Sequence, residues 1–402
     1  FLRAFKAGYF AILYNFIVMG WVINAMASVV SVMLNMDKWT AVWLCVIIAL
    51  VYAILSGFWG VVVTDLVQFV IAMFGSIALA IIALNYVGGM EVLLSKLNEL
   101  LGSDVVTDNT LKFIPPIPDT GVATQTFWES PFSKFLIFIS VMWWSHHGTD
   151  GGGYIIQRMS SAKNERHALL ATLWFNIAHY ALRVWPWIIV AVVSIVMFPI
   201  IPSEYSELGV KAGYPLVMNT LLGPGLKGIL IVSFLAAFMS TIDTHLNWGV
   251  SYLINDIYKR FFKPNESERH YVLVGKIMTV ILMILAAFTA LKMQSISKAW
   301  EFIFAMGAGI GLVLILRWFW WRVNAWSEIT ALATSIVITI SFEIIAYFQT
   351  INNNLEYSLF GSAPSIFGMS LQVHHKLMII VPIAIIAWVT VPYVTEPEPR
   401  TK

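Results

Sequence analysis

The sequence predicts an all-α integral membrane protein, and three observations support this fold class. Of the 402 residues, 59% are hydrophobic and only 11% are charged, whereas a soluble domain carries about 25% charged residues. Several apolar runs are longer than the roughly 18 residues that indicate a membrane-spanning helix. No strand pattern could close a transmembrane barrel, so the spans must be helices, which satisfy their backbone hydrogen bonds internally.

Ten membrane-spanning segments are predicted along the chain. Some exceed the roughly 20 residues that a straight crossing needs, so we expect tilt or extension past the bilayer. We expect one transmembrane domain over residues 1–402, with a long polar connection at 88–131 and a polar tail at 397–402. The predicted segments are residues 8–34, 39–58, 61–87, 132–149, 167–199, 225–253, 273–292, 297–316, 326–348 and 377–396.

The basic residues predict the orientation of these segments, because cytoplasmic ends carry an excess of arginine and lysine. If the first segment starts inside, eight of the nine arginines lie at inside ends, and the ninth, Arg183, lies within a segment. The connection at 88–131 is then extracytoplasmic and the tail at 397–402 is cytoplasmic. No signal peptide is visible, and a chain that starts at Phe1 is expected to be part of something longer.

Composition also excludes several classes of function. The net charge of +2 gives no reason to expect a nucleic-acid partner. Cys45 is the single cysteine, which excludes an internal disulfide and a cysteine-based metal site. The histidines are scattered without the spacing of a catalytic constellation, so an enzyme is not predicted.

One predicted helix, FLAAFMSTIDTHLNWGVSYLINDIY (234–258), is too polar to face lipid. At 100° per residue, its polar residues and one alanine fall on a single face, and ionisable groups in membranes face cavities or partners. Hydroxyl and carboxylate oxygens suit a hard cation. Hydrogen bonding between helices is the alternative, but a buried Asp243 favours a cation because an uncompensated carboxylate is costly there. The face comprises Ala237, Ser240, Asp243, Thr244, Asn247 and Ser251, with Thr241 at its border.

Two further stretches interrupt apolar runs. In YAILSGFWGVVVTDLVQ (52–68), Asp65 lies near the start of a helix, where a carboxylate is favourable in any case. In WWSHHGTDGGGYIIQ (143–157), three consecutive glycines should interrupt or end the helix. His146, His147 and Asp150 allow a metal site as the minor alternative, and a flexible helix break near a transport path is favoured.

Taken together, three blocks resemble one family in content and order. YAILSGFWGVVVTDLVQ (52–68) is similar to the pattern Y-T-x-x-G-G-L-x-A-V-x-x-T-D-x-x-Q, with Ser56 and Gly60 as departures. YIIQRMSSAK (154–163) is similar to a Q-R-x-x-A-A-K block, and AFMSTIDTHLNWGVSYLINDIY (237–258) to a sodium-binding helix that ends in D-I-Y. The chain thus resembles the sodium/solute symporter family, which includes sodium-coupled glucose, proline and sialic acid carriers.

This resemblance implies a leucine-transporter-like fold built from two inverted five-helix repeats. The first predicted segment then matches the third core helix, and the family's first core helices are expected to be missing from this chain. The resemblance implies a shared sodium site at Ala237 (through its carbonyl), Ser240 and Thr241. It implies a second, inner sodium site at Asp65, Ser240, Asp243 and Thr244, where Asp243 could equally bind a proton.

The solute is expected near the bilayer midplane beside broken helices, here the segment 137–150. Trp143 and Trp144 resemble the family's aromatic inner gate, and Asp150 follows in the interrupted stretch. His179 and Arg183 are four residues apart and share a helix face. The partner of Arg183 is either an anionic group on the solute or, as favoured from the sequence, an acid such as Glu301. Possible cavity donors are Asn15, Asn24 and Asn176.

The resemblance therefore implies sodium-coupled symport of a small polar solute by alternating access. Na⁺ is the coupling ion and no organic cofactor is expected. The solute class stays open among sugars, amino acids and carboxylates, and membrane lipid is the other expected partner. A bacterial inner membrane is the expected location. A transporter-like sensory module of a signalling protein is the alternative, and a passive channel is a further one.

Overall fold

The computed structural model describes residues 1–402 with short gaps. The gaps are residues 56–57, 103–113, 118–123, 150–151, 354–358, 361–362, 367 and 398–402. Only the backbone is described for residues 55, 58–65, 101, 124–126, 153–154 and 157–158.

The described part of the chain is almost entirely helical, as the sequence predicts. Two 3₁₀ turns, Ser203–Tyr205 and Gly209–Ala212, and two paired strands complete it. The helices are α1 (Leu2–Leu34), α2 (Lys38–Leu55), α3 (Phe58–Val87), α4 (Met90–Leu101), α5 (Thr124–Glu129), α6 (Pro131–Ile137, extended by Phe138–Met142 and Trp143–Ser145), α7 (Gly152–Ser160), α8 (Glu165–Met197), α9 (Gly213–Leu221), α10 (Pro224–Phe262), α11 (Glu268–Lys292), α12 (Ile296–Gly307), α13 (Gly311–Leu316), α14 (Ala325–Asn352) and α15 (Val373–Val394). The strands are β1 (Ser365–Ile366) and β2 (Met369–Ser370), which pair antiparallel.

Seven of the described helices are long and apolar enough to cross a membrane, namely α1, α3 from Leu66 onward, α8, α10, α11, α14 and α15. Helix α2 is a shorter apolar helix. Large apolar side chains stay exposed on these helices, as at Val232 and Ile386, whose exposed fractions are 61% and 67%. Such surfaces suit lipid, and the chain is an integral membrane protein. The two remaining predicted segments correspond to α6 and to α12 with α13, which are interrupted.

The described chain divides into two compact units. The first unit comprises residues 6–108 and 172–293, and the second comprises residues 1–5, 109–171 and 294–402. In the first unit, α1, α2, α10 and α11 bury a common apolar core that includes Ile23, Ile242 and Met283. Helix α1 approaches α11 closely at Gly20, where an added Cβ would lie 2.7 Å from the Thr289 side chain.

A second core of the first unit joins α3, α4, α8 and α9 to the beginning of α10. Here Gly75 lets α3 approach α10, because an added Cβ would lie 2.5 Å from Leu230 Cδ1. The beginning of α10 therefore packs closely against α3.

In the second unit, α14 and α15 form a helical hairpin that packs with α6 and α12. Their shared core includes Ile137, Ala305, Phe342 and Ile380. Helix α14 begins with a capping box at Asn324, whose side chain accepts a hydrogen bond from the backbone N–H of Ser327.

Candidate functional site

The polar stretch of α10 lies on an uninterrupted helix. Pro224 occupies the first turn of α10, where its missing N–H is tolerated, and the helix stays α-helical to Tyr252 before a π-helical end at Leu253–Phe262. With no kink between Ala237 and Ser251, the polar residues stay on one face, as the sequence predicts. This face is graded in burial: Asp243 is buried, Ser240, Thr241 and Thr244 are half-buried, and Ala237, Asn247 and Ser251 are exposed.

The upstream part of this face brings two oxygens together. The Thr241 hydroxyl donates to the carbonyl of Ala237, one turn earlier, at 2.8 Å. Threonine in helices commonly makes this bond, and it places a hydroxyl oxygen and a carbonyl oxygen side by side. Both are hard oxygen donors of the kind that replace water around a small cation.

Asp243 is the most buried polar residue of the face, with an exposed fraction of 1%. Its chain neighbour Ile242 and the nearby Leu246 are buried in the apolar core of the first unit. A carboxylate that is removed from water in this way requires a compensating charge or proton. Asp243 is therefore the deepest acidic group of the polar face of α10.

Asp65 lies outside the residues whose side chains are described. The backbone of α3 is helical at residue 65. Residue 65 is about 15 Å from Gly75 along the helix axis, and Ser240 is about 15 Å from Leu230, because each separation is ten residues at 1.5 Å per residue.

Asn15 is buried and contacts α10 through both of its polar atoms. Its Nδ2 donates to the carbonyl of His245 at 2.6 Å, and its Oδ1 is 2.7 Å from His245 Nδ1. Gly249 leaves room for this amide, since an added Cβ would lie 2.2 Å from Asn15 Nδ2. Both atoms are thus engaged in tying α1 to α10, close to the polar face.

The two other asparagines that the sequence singled out also have partners. Asn24 Nδ2 donates to the carbonyls of Ala290 and Met293 at the end of α11, and its Oδ1 accepts from Lys211 Nζ at 3.0 Å. Asn176 donates to the carbonyl of Thr172 on its own helix. In these bonds the amides of Asn24 and Asn176 contact other protein groups and not an open cavity.

Lys211 and Lys38 come together at the end of α11. Lys38 Nζ donates to the carbonyls of Leu291 and Met293, at 3.2 Å each. Burial, together with the nearby charge of Lys38, lowers the pKa of Lys211 to about 8. Lys38 therefore ties the beginning of α2 to the carbonyl end of α11, where a cation is favourable, and Lys211 reaches the same end through Asn24.

His179 and Arg183 meet on α8, as their spacing predicts. Arg183 Nη2 lies 3.2 Å from His179 Nε2, and the guanidinium carbon lies 5.0 Å from the centre of the Trp187 ring. Glu301, the acid that the sequence suggested as a partner, instead accepts from Lys298 Nζ at 2.8 Å.

The predicted break in the fourth segment is confirmed, but it comes before the glycines. Helix α6 ends at Ser145, and the Thr149 hydroxyl bonds the carbonyls of Trp144 and His146 at 2.8 and 2.6 Å. The hydroxyl has one proton to donate, and it lies between these two carbonyls at the end of the helix. Trp143 is exposed, and Trp144 Nε1 donates to the carbonyl of Ser140. Asp150 lies outside the described residues.

A second break lies between α12 and α13, where the sequence predicted one continuous segment. Helix α12 ends at Gly307 and α13 begins at Gly311. An added Cβ at Gly311 would lie 1.9 Å from the carbonyl oxygen of Trp144, and one at Gly307 would lie 2.6 Å from His147 Nδ1. The stretch GAGIG (307–311), with three glycines in five residues, is the sequence pattern that could have predicted this break. The two interrupted helices of the second unit therefore contact each other at their breaks.

Comparison with known proteins identifies a matching family profile and several relatives of this chain. Residues 6–338 match the sequence profile of the sodium:solute symporter family. The sodium/glucose cotransporter 1 of Oryctolagus cuniculus is 25% identical over 401 residues, which cover 93% of this chain and 58% of that protein. The sodium/mannose cotransporter SLC5A10 of Bos taurus is 24% identical over 320 residues, covering 74% of this chain and 52% of that protein. The chain thus spans a little over half the length of these curated relatives.

A solved structure agrees with the fold. The substrate-bound outward-open state of a Na⁺-coupled sialic acid symporter superposes with a TM-score of 0.64 at 18% sequence identity. The match covers 98% of this chain and 75% of that chain. The leucine-transporter-like fold that the sequence predicted is thereby confirmed.

Proposed function

Because the chain belongs to the sodium:solute symporter family, we propose that the protein carries a small polar solute into the cell together with Na⁺ by alternating access. The observation that carries the proposal is the polar face of α10, which combines hydroxyl, carbonyl and carboxylate oxygens within a membrane-spanning helix. The location of the protein in this proposal is a bacterial inner membrane.

The residues of this face have separate roles in the proposal. The carbonyl of Ala237 and the hydroxyls of Ser240 and Thr241 bind one sodium ion. The 2.8 Å bond between Thr241 and Ala237 supports this role, because it places two such oxygens together before an ion arrives.

A second ion is bound further along the face. Ser240, Asp243 and Thr244 provide its oxygens, and the buried carboxylate of Asp243 supplies the compensating negative charge. Asp65 completes this inner site, as the resemblance of its sequence block implies. Sodium then leaves stepwise along α10 toward the cytoplasm.

The interrupted helices of the second unit border the path of the solute in this proposal. Unwound backbone in a membrane is tolerated where it lines a cavity, and α6 and α12–α13 both provide such backbone. Trp143 and Trp144 form the inner aromatic gate in this proposal. The resemblance leaves sugars, amino acids and carboxylates as solute classes.

The number of sodium ions carried with each solute sets the largest solute gradient that the protein can support. One inward charge at about 100 mV contributes roughly 2.3 kcal/mol, and a tenfold sodium gradient adds about 1.4 kcal/mol. One ion therefore supports a solute gradient of roughly several hundredfold, and two ions support about the square of that gradient for a neutral solute.

Thermal unfolding of the full-length protein tests the proposal. Sodium that binds only the folded state raises Tm by mass action, so Tm should be higher in sodium chloride than in equal choline chloride. Ser240→Ala and Asp243→Asn should each reduce this difference, whereas Thr279→Val, on α11, should leave it unchanged. An equal Tm in both salts for the wild type would argue against sodium coupling.

A further inference from the structure

Arg183 lies deep within a membrane-spanning helix. It is eighteen residues after the start of the span Glu165–Met197 and fourteen residues before its end. An arginine near the bilayer centre costs at least about 2.5 kcal/mol even on the most favourable insertion scales. A charge in this position therefore requires a partner that offsets the cost of leaving water.

The described surroundings of Arg183 supply only neutral groups. His179 offers one ring nitrogen at 3.2 Å, and Trp187 offers an aromatic face at 5.0 Å. Among the residues that the structure describes, no carboxylate lies within the 4.0 Å of an ion pair with this guanidinium. Its Nε is buried and has no hydrogen-bond acceptor within the described part of the chain. A guanidinium has five N–H donors, so most of its capacity is available.

The two neutral neighbours are themselves held in place. Trp187 Nε1 donates at 3.1 Å to the hydroxyl of Ser76, a buried residue of α3. The His179 ring stacks on Phe175, with ring centres 5.1 Å apart and an angle of 18° between the planes. Arg183 therefore lies against two aromatic rings that have further contacts of their own before any ligand arrives. Preorganisation of this kind lowers the entropy that binding must overcome.

We propose that Arg183 binds a carboxylate group and that this carboxylate belongs to the transported solute. The proposal rests on the proposed symport function and narrows its solute to small carboxylic acids. The planar fork of a guanidinium matches a carboxylate with two parallel hydrogen bonds, which a neutral sugar hydroxyl does not reproduce. His179 accepts from Arg183 in its neutral form and so holds the fork toward the ligand.

A carboxylate could also come from a part of the protein outside the described residues, and the experiment distinguishes these sources. The full-length protein is saturated with sodium, and Tm is measured with sodium carboxylates and their neutral amides in matched pairs. The pairs are lactate and lactamide, glutamate and glutamine, and nicotinate and nicotinamide, extended to a library of such pairs. The variants are Arg183→Gln, Arg183→Lys and the control Arg166→Gln, which removes the same charge from the exposed beginning of α8.

The proposal predicts that at least one carboxylate raises Tm while its amide does not. Arg183→Gln should lower the affinity for that carboxylate at least about 30-fold, and Arg183→Lys should lower it less. Arg166→Gln should leave this affinity unchanged. The rise of Tm with sodium alone should persist in Arg183→Gln, which separates failure of this inference from failure of sodium coupling.

Three results would overturn the inference. The first is a neutral ligand that stabilises wild type and Arg183→Gln equally. The second is a lower Tm of ligand-free Arg183→Gln with no carboxylate effect in the wild type, which would assign the partner to the protein itself. The third is a library in which no carboxylate distinguishes wild type from Arg183→Gln.

Discussion

The Thr241 hydroxyl donates to the carbonyl of Ala237 at 2.8 Å, and the same kind of bond joins Thr279 to Gly275 at 3.0 Å on the neighbouring helix α11. Both threonines are half-buried in the first unit. The two bonds are equivalent as local helix contacts, but only Thr241 lies on the polar face of α10. This pair therefore separates a role in ion binding from a role in helix structure.

Thr241→Val should weaken sodium binding by at least about tenfold, which corresponds to about 1.4 kcal/mol, because one oxygen ligand is lost. Thr279→Val removes an equivalent hydroxyl and should leave sodium affinity unchanged. Sodium titration of Tm measures both. Equal sodium affinity in the two variants would mean that Thr241 has only a structural role.

Substitutions at Asn15 and Gly249 should have non-additive effects on the free energy of unfolding. Gly249→Ala places a methyl group where the Asn15 amide lies, and such overpacking should lower the free energy of unfolding by about 1–3 kcal/mol. Asn15→Ala leaves the carbonyl and the ring nitrogen of the half-buried His245 without this partner, which should also cost about 1–3 kcal/mol. The double variant should be less destabilised than the sum of the two, because the clash disappears with the amide.

Unfolding in a titration with denaturing detergent measures this cycle. Gly228→Ala is the matched control on α10, since no atom lies within 4 Å of its added Cβ. Strict additivity of Asn15→Ala and Gly249→Ala would contradict the packing described for this pair.

Gly311→Ala should disrupt the contact between the two interrupted helices. The added Cβ would lie 1.9 Å from a backbone oxygen, that of Trp144, which cannot move away as a side-chain tip can. We expect a loss of at least about 1–3 kcal/mol in stability, measured as a lower Tm. Gly225→Ala, where nothing lies within 4 Å, should leave Tm close to that of the wild type. A Gly311→Ala protein of unchanged Tm would show that the breaks are not packed against each other.

Lys211 should give stability a dependence on alkaline pH. Its pKa is lowered to about 8 in the folded protein from 10.5, so the unfolded state binds more protons between these values and stability rises with pH there. Below about pH 8 the buried charge destabilises the fold by a constant amount. The Tm of the wild type should therefore rise relative to that of Lys211→Gln from about pH 8 to about pH 10.5. A Tm difference that is constant across this window would contradict the burial of Lys211.

The sequence predicted the helical fold and the polar face of α10 because both depend on local spacing. A period of 3.6 residues places Ser240, Asp243 and Thr244 on one side whatever the tertiary structure is. The sequence blocks around Asp65 and Asp256 also predicted the family of the chain, and the comparison with known proteins confirmed it.

Contacts between distant residues could not be predicted in the same way. Asn15 and His245 are 230 positions apart, and no local pattern links an amide in the first helix to a histidine in the tenth. The sequence therefore indicated Asn15 as a possible cavity donor and favoured an acidic partner for Arg183. It also placed the break of α6 by glycine propensity, whereas the helix already ends at Ser145, where Thr149 bonds the terminal carbonyls.

Direct binding of radioactive sodium to the purified full-length protein tests the central claim most directly. The claim predicts saturable ²²Na⁺ binding that unlabelled sodium displaces and choline does not. It also predicts that Asp243→Asn and Ser240→Ala weaken this binding at least about tenfold, while Thr279→Val binds as the wild type does. Absence of saturable binding, or equal binding by Asp243→Asn, Ser240→Ala and the wild type, would contradict a sodium site on the polar face of α10.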